Sequence, residues 1–349
     1  MHLTRGRRGW ESLHKAQWKE KVMQEEHILG ARPVRFRATP TDSGLRLSRC
    51  VANQLADLSV RAAKDLIDRG RVFVNNQRVT KASTPVGEGQ WIEVYPHDGS
   101  KRVRLHEEDI LWEGKALVAV NKPPGLLVYG TKGVTEGTVL PQLEGLLKKT
   151  GRWRPRRDNL VLVHRLDRDT SGLLLVARDE RSAFALERQF KQKIVEKRYL
   201  ALARGRPAKE RFRQISEVTA KRPAHGSKDH RTSKTPATAR KKSHGPKGET
   251  EFKVLETFAK CALIEARPLT GRTHQIRVHL AQVGYPVLGD IVYGPEKCAE
   301  RLYRAIPRQM LHASFLGVDD PDGGAHLELT SPLPDDMNQV LTWLKQEEQ

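Results

Sequence analysis

The residues of this chain best equipped for chemistry lie in Val163-His164-Arg165-Leu166-Asp167-Arg168-Asp169-Thr170-Ser171-Gly172-Leu173-Leu174-Leu175-Val176. An acidic residue sits between two arginines where one apolar run, Leu160 to Val163, breaks into polar turn residues and a second begins. A carboxylate on such an elbow can face a cleft while flanking strands hold its backbone still, the support a reactive group needs. The same residues also suit an ordinary loop in which Asp167 and Asp169 pair with neighbouring arginines, contacts worth little at a surface. His164, His274 and His279 raise the question of a metal, but no carboxylate or cysteine spacing accompanies them. They read as satisfied structural histidines, and no metal is expected.

The elements that position this stretch belong to a chain of 349 residues, long enough for two or three domains. A formal charge of +20 and a pI near 10.0 recruit polyanions, so nucleic acid or an anionic membrane comes first as partner. No apolar run approaches the roughly 20 residues that span a bilayer, which favours nucleic acid. Cys50, Cys261 and Cys298 lie far apart without a CxxC pattern, so neither a disulfide framework nor a zinc site is indicated and a reduced, cytoplasmic setting is expected. Residues 1–33 form a basic N-terminal arm without the apolar core of a secretory signal.

From Leu45 the pattern turns regular. Leu47, Val51 and Leu55 recur near helical spacing, and a second helix carries Val60, Ala63, Leu66 and Ile67, with Ser59 as its N-cap and Gly70 as its stop. Val72-Phe73-Val74, a turn at Asn75-Asn76-Gln77, and Val79 read as a hairpin, and Trp91 to Tyr95 as a further strand. Basic side chains, among them Arg49, Lys64, Arg69 and Arg71, give this module a phosphate-contacting face. Its order of helix, helix, glycine turn and valine-rich hairpin resembles the S4-type RNA-binding domain, placed at residues 34–97.

Beyond a linker, strands and helices intermingle from residue 104 to 349, and the natural class is α+β, with a large mixed or mostly antiparallel sheet flanked by helices. Val139 to Lys149 and Arg181 to Lys193 read as helices, and Arg198 to Ala203 and Cys261 to Ala266 as strands. Between Gly205 and Thr250 there are thirteen Lys/Arg, four Asp/Glu and almost no large apolar residue after Val218. Such a segment cannot bury enough surface to fold alone and is expected to be a disordered, polycationic insertion at about 206–250. After it, Gly271 makes a turn, Thr273 is the candidate N-cap, and His274, Arg277 and Ala281 share one face of a helix closed by Gly284.

Three spaced signatures now stand together: Val120-Asn121-Lys122-Pro123-Pro124-Gly125-Leu126-Leu127-Val128, His164 to Leu173, and Gly271-Arg272-Thr273-His274-Gln275-Ile276-Arg277-Val278-His279. They resemble the RluA family of pseudouridine synthases, and the S4-like module in front is similar to the arrangement in its ribosomal-RNA members. The resemblance spans roughly Val34 to Glu328 apart from the insertion, and departs at Tyr129, where the family commonly has His.

The resemblance implies an RNA uridine isomerase needing no cofactor. Asp167 is the reactive group, as nucleophile or as base toward the ribose, and Arg277 is the cation that favours its charged form. Tyr199 matches the ring that stacks on the target base, a contact worth roughly 1 to 3 kcal/mol. Arg165 resembles a residue holding the flipped strand, while Arg272 and Lys122 are further candidate RNA contacts. The implied partner is structured RNA, most readily 23S ribosomal RNA or a ribosomal assembly intermediate, met by a monomer. Transfer RNA is the alternative substrate, and a non-catalytic ribosome-assembly factor the alternative function.

Overall fold

The computed structural model describes residues 33–55, 58–95, 103–130, 137–219, 246–295 and 301–346. The expected N-terminal arm and most of the basic insertion, 220–245, lie outside the described residues, as does Cys298. Among the described residues, no helix is long and apolar enough to cross a membrane. Cys50 and Cys261 are buried. The chain divides into two compact units.

In the first unit, β1 (Val34–Arg37), α1 (Leu47–Gln54), α2 (Val60–Asp68), β2 (Val72–Val74), β3 (Gln77–Val79) and β4 (Trp91–Val94) build two helices on an antiparallel sheet of order β1-β4-β2-β3. The local signals act as the sequence indicates. Ser59 Oγ accepts from the Ala62 N–H at 3.1 Å, Gly70 leaves α2 at a φ of 66°, and Asn75 and Asn76 both take the left-handed conformation a two-residue hairpin turn demands. Leu47, Cys50, Val51, Ala63 and Ile67 close on Val72, Ile92 and Val94 to form the core.

One expected RNA contact fails here. Arg71 is 3% exposed, and its guanidinium donates to the carbonyls of Tyr95, Ala305 and Ile306. Leaving Gly70, the chain turns the Arg71 side chain inward, where three buried carbonyls need donors. Burial pushes its pKa down to about 10. These bonds, with Ala305 packed on Phe73 and Tyr95, tie residues 301–307 to the N-terminal unit, which also takes in 336–346. The catalytic domain expected over 104–349 therefore excludes these two segments.

The second unit is a ten-stranded sheet built from β5 (Ile110–Glu113), β6 (Leu117–Lys122), β7 (Val161–Leu162), β8 (Ser171–Ala177), β9 (Glu196–Arg204), β10 (Arg211–Glu217), β11 (Lys247–Thr257), β12 (Cys261–Pro268), β13 (Leu311–Asp319) and β14 (His326–Thr330). Its main path runs β10-β11-β12-β9-β13-β8-β6-β5, with β14 on β13 and β7 on β8. Every pairing is antiparallel except β8 with β13. Helices α3 (Val139–Lys149), α4 (Glu180–Gln192) and α5 (Gln275–Gln282) complete the unit. The expected α+β class and mixed sheet are thus observed.

All seven residues of β8 are buried, which explains why Ser171-Gly172-Leu173-Leu174-Leu175-Val176-Ala177 is a continuous small and apolar run instead of an alternating one. Gly172 has no substitute there. Its φ is 106°, and a Cβ would lie 2.2 Å from the Ala313 carbonyl oxygen of β13.

The disordered insertion expected over 206–250 is corrected at both ends. Residues 211–217 and 247–253 pair antiparallel as β10 and the start of β11, with Thr250 fully buried. Polar alternation hid this hairpin from composition. Arg211, Arg213 and Ile215 face solvent, while Phe212 stacks on Phe252 at 4.9 Å.

Candidate active site

The loop between β7 and β8 presents Asp167, whose carbonyl accepts from the Thr170 N–H in a tight turn. The carboxylate is 17% exposed and faces a cationic frame. Arg277, from the first turn of α5, donates from Nη1 to Asp167 Oδ2 at 2.9 Å. The opposite edge of the same guanidinium is gripped bidentately by Asp290, Nε to Oδ2 at 2.7 Å and Nη2 to Oδ1 at 2.9 Å. Burial alone would lower the Arg277 pKa, but hydrogen bonds and charge from Asp290, then from Asp167, hold it above its ordinary value. Burial likewise works against the Asp290 carboxylate, yet Arg277 and the N–H groups of Tyr293 and Val292 keep it below the usual range. A permanently charged, planar donor thus aims one edge at Asp167 with almost no freedom to swing.

Tyr199 stands on β9, registered against Ala266 of β12 and Ala313 of β13, so the middle of the sheet fixes its ring. Burial and then the nearby Asp167 charge push its phenol up. At neutral pH the hydroxyl therefore keeps its proton.

His274 lies 3.7 Å from Asp167 Oδ1 and bonds Tyr293 Oη through Nδ1 at 2.9 Å. Burial lowers its pKa, against the pull of Asp167. It, not Thr273, is the N-cap of α5, and it enters the helix at a φ of 60°. A non-glycine residue holds that conformation only where its surroundings fix it. Gln275 supplies some of that fixing by accepting from Thr270 Oγ1 and the Arg272 N–H while donating to the Glu249 carbonyl and Thr250 Oγ1 of β11. The strand unforeseen in the basic segment therefore anchors the turn that carries Arg277.

The other two histidines have structural posts. His164 Nε2 accepts from the Leu175 N–H at 2.8 Å, and its ring stacks on Phe190 at 4.9 Å. Burial pushes its pKa down to about 3. His279 Nδ1 meets Thr250 Oγ1 at 2.9 Å.

The remaining groups of the Asp167 loop are held from two sides. Lys122, expected among the RNA contacts, is instead wholly buried, and its Nζ donates to the carbonyls of Pro123, Leu126 and Arg168. The Arg168 carbonyl also accepts from the Gly125 N–H at 2.9 Å, and one ammonium with three donors ties it to the proline turn. From the other side, Arg308 donates to the Asp169 carbonyl and Ser171 Oγ, Gln309 to Thr170 Oγ1, and His312 Nδ1 meets Ser171 Oγ at 3.0 Å.

Arg165 and Arg272 are exposed, as are Arg49 and Lys64 on the first unit. Lys64 pairs with Asp68, and Arg69, partly covered, with Asp65. Sequence reasoning missed Asp290, Tyr293, Arg308, Gln309 and His312. The one signal for Asp290 was a carboxylate inside the apolar run Pro286 to Tyr293.

A carboxylate bonded to a fixed arginine, beside an aromatic ring, has the chemistry to act on an extruded base. Residues 116–282 match the RNA pseudouridylate synthase family and residues 45–92 the S4 domain. An uncharacterised RNA pseudouridine synthase of Chloroflexus aurantiacus is 35% identical over 315 residues, 88% of this chain and 92% of that one. Ribosomal large subunit pseudouridine synthase C of Vibrio parahaemolyticus is 31% identical, across 87% of this chain and 94% of its own. Ribosomal large subunit pseudouridine synthase D of Nitrosomonas europaea is 34% identical, across 86% and 84%. Among solved structures, human RNA pseudouridylate synthase domain containing 4 superposes with a TM-score of 0.54 at 27% identity, over 68% of this chain and 93% of that one.

Fold and site together define an RNA-modifying isomerase. The chain belongs to the RNA pseudouridylate synthase family and carries an S4 domain in front of the catalytic one.

Proposed function

We propose that this pseudouridine synthase acts as a cytoplasmic monomer on large-subunit ribosomal RNA, free or in an assembly intermediate. Asp167 is its reactive group, Arg277 the counter-ion and Tyr199 the stacking platform. The observation that carries the site assignment is the 2.9 Å Arg277–Asp167 bond, made by a guanidinium whose other edge is locked on buried Asp290. The ribosomal target draws support from the S4 match, from relatives named for the large ribosomal subunit and from the +20 charge.

The S4 module, over residues 34–97, grips RNA through Arg49 and Lys64, with Arg69 at its edge. Arg165 and Arg272 hold phosphates near the cleft. Extruding the uridine costs a few kcal/mol, and a base–aromatic stack on Tyr199 returns roughly 1 to 3. Asp167 then acts on the extruded nucleotide. The C1′–N1 bond breaks, the base turns, and C1′–C5 forms. The C5 proton leaves and N1 regains one, so atoms and electrons balance within the substrate and water.

The test is a pseudouridine map of RNA from cells lacking the protein, complemented with wild type or Asp167→Asn. Loss of large-subunit sites, restored by wild type alone, is the expected result. Loss from transfer RNA moves the substrate, and an unchanged map in both RNAs makes the chain a binding factor. In purified form, Asp167→Asn is expected to release no tritium from 5-tritiated uridine in RNA while binding that RNA nearly as well as wild type. Turnover at the wild-type rate would remove Asp167 from its role.

A further inference from the structure

Helix α4 packs Ser182, Ala183 and Leu186 toward the sheet, and its opposite face is built unlike an idle surface. Arg181, Phe184, Arg188 and Lys191 recur at three- and four-residue steps, all exposed, within an arc of about 80° given roughly 100° per residue. Phe184 is 71% exposed between the cations. Among the described residues, Arg181, Arg188 and Lys191 make no ion pair, although Glu180 and Glu187 edge the face on one side.

The C-terminal end of this helix packs on the loop that carries Asp167. Phe190 stacks on His164, three residues before Asp167, and Lys193 turns the chain in the left-handed conformation toward β9 and Tyr199. Lys197, at the start of that strand, is partly buried, and desolvation followed by the Lys193 charge lowers its pKa. A run of cations therefore begins beside the catalytic loop and continues along α4 for about 20 Å, at about 1.5 Å per residue.

We propose that this face of α4 is an RNA-binding surface outside the catalytic cleft, where Phe184 stacks on an unpaired base flanking the target uridine while Arg181, Arg188 and Lys191 hold the adjoining phosphates. The inference rests on the synthase activity and adds a substrate track to it. Charge decides the occupant. Protein interfaces deplete charged residues, lysine above all, at the centre of a hydrophobic contact, whereas an aromatic ring framed by arginine and lysine is the platform that single-stranded nucleic acid takes.

Two variants of the full chain test this, Phe184→Leu and the triple Arg181→Gln/Arg188→Gln/Lys191→Gln. The probe is an unmodified transcript of large-subunit ribosomal RNA tritiated at uridine C5. Because every altered side chain is exposed, both variants are expected to melt like wild type. Phe184→Leu is expected to raise KM about tenfold, the loss of one base–aromatic stack. The triple variant is expected to reduce the slope of log K against log salt by about 2, from three contacts at roughly 0.7 each. A wild-type KM in Phe184→Leu overturns the proposal, as does a wild-type slope in the triple variant. So does loss of co-sedimentation with ribosomal particles while naked-RNA binding stays intact, which would make the face a protein contact. Should wild type release no tritium from any RNA, the failure lies with the assigned activity instead of with this face.

Discussion

Arg277 has two carboxylate partners with different duties, since Asp167 is 17% exposed and Asp290 only 2%. Asp290 is therefore a positioning residue. Asp290→Asn keeps an oxygen for the Val292 and Tyr293 N–H groups but removes the charge that pins the guanidinium. A misplacement of about 1 Å in a catalytic frame costs on the order of 100-fold, so kcat is expected to fall by about that factor with KM little changed. An equal loss in KM would instead point to a damaged RNA surface. His164 gives a pH signature. The folded chain takes up its proton only near pH 3, whereas the unfolded chain does so near 6.5. Between those values the unfolded state binds more protons, so this residue makes stability fall as pH drops through the window. In His164→Gln, whose amide oxygen can accept from the Leu175 N–H, denaturant midpoints are expected to decline less between pH 6.5 and 4 than in wild type. Parallel declines would show that His164 does not carry the effect.

Among the elements, the short parallel contact between β8 and β13 matters most for the site. Only His312 with Ser171 and Ala313 with Gly172 are in register there, yet this contact sets the strand that ends the Asp167 loop. Gly172→Ala forces a Cβ against the Ala313 carbonyl at a φ that side chains rarely adopt. The expected cost is about 3 kcal/mol from strain and overpacking combined, read as a lower urea midpoint of the catalytic unit. Wild-type stability would mean that the strands part freely. The β10–β11 hairpin shows what local sequence conceals. Its residues are polar because one face is wet, and its role in holding Gln275, hence the start of α5, depends on a partner strand distant in the chain.

For the whole molecule, the +20 charge has a measurable consequence. Residues 220–245 contain eight Lys/Arg against one acidic residue, Asp229. Deleting them while keeping β10 and β11 is expected to flatten the salt dependence of RNA binding by roughly 5 to 6 in log K against log salt if every cation meets a phosphate, at about 0.7 each. An unchanged slope would mark the segment as a passive insertion. The deletion must spare 211–217 and 247–253, because these strands belong to the sheet that fixes Arg277.

The sequence by itself determined what short-range rules govern: the capped helices and asparagine turn of the S4 module, the apolar strand after the elbow, and three signatures whose resemblance to a known family drew attention to Asp167 and Arg277, with Tyr199 matched separately. Tertiary structure alone decided which charges meet solvent and which meet each other. Lys122 and Arg71 read as phosphate contacts because a lysine or arginine in sequence carries no mark of the buried carbonyls it will satisfy. Asp290 went unseen because its partner, Arg277, becomes its neighbour only when the loop after α5 folds back on the helix. The elbow around Asp167 owes its support to Lys122, Arg308 and His312, groups from both ends of the unit that no local pattern links.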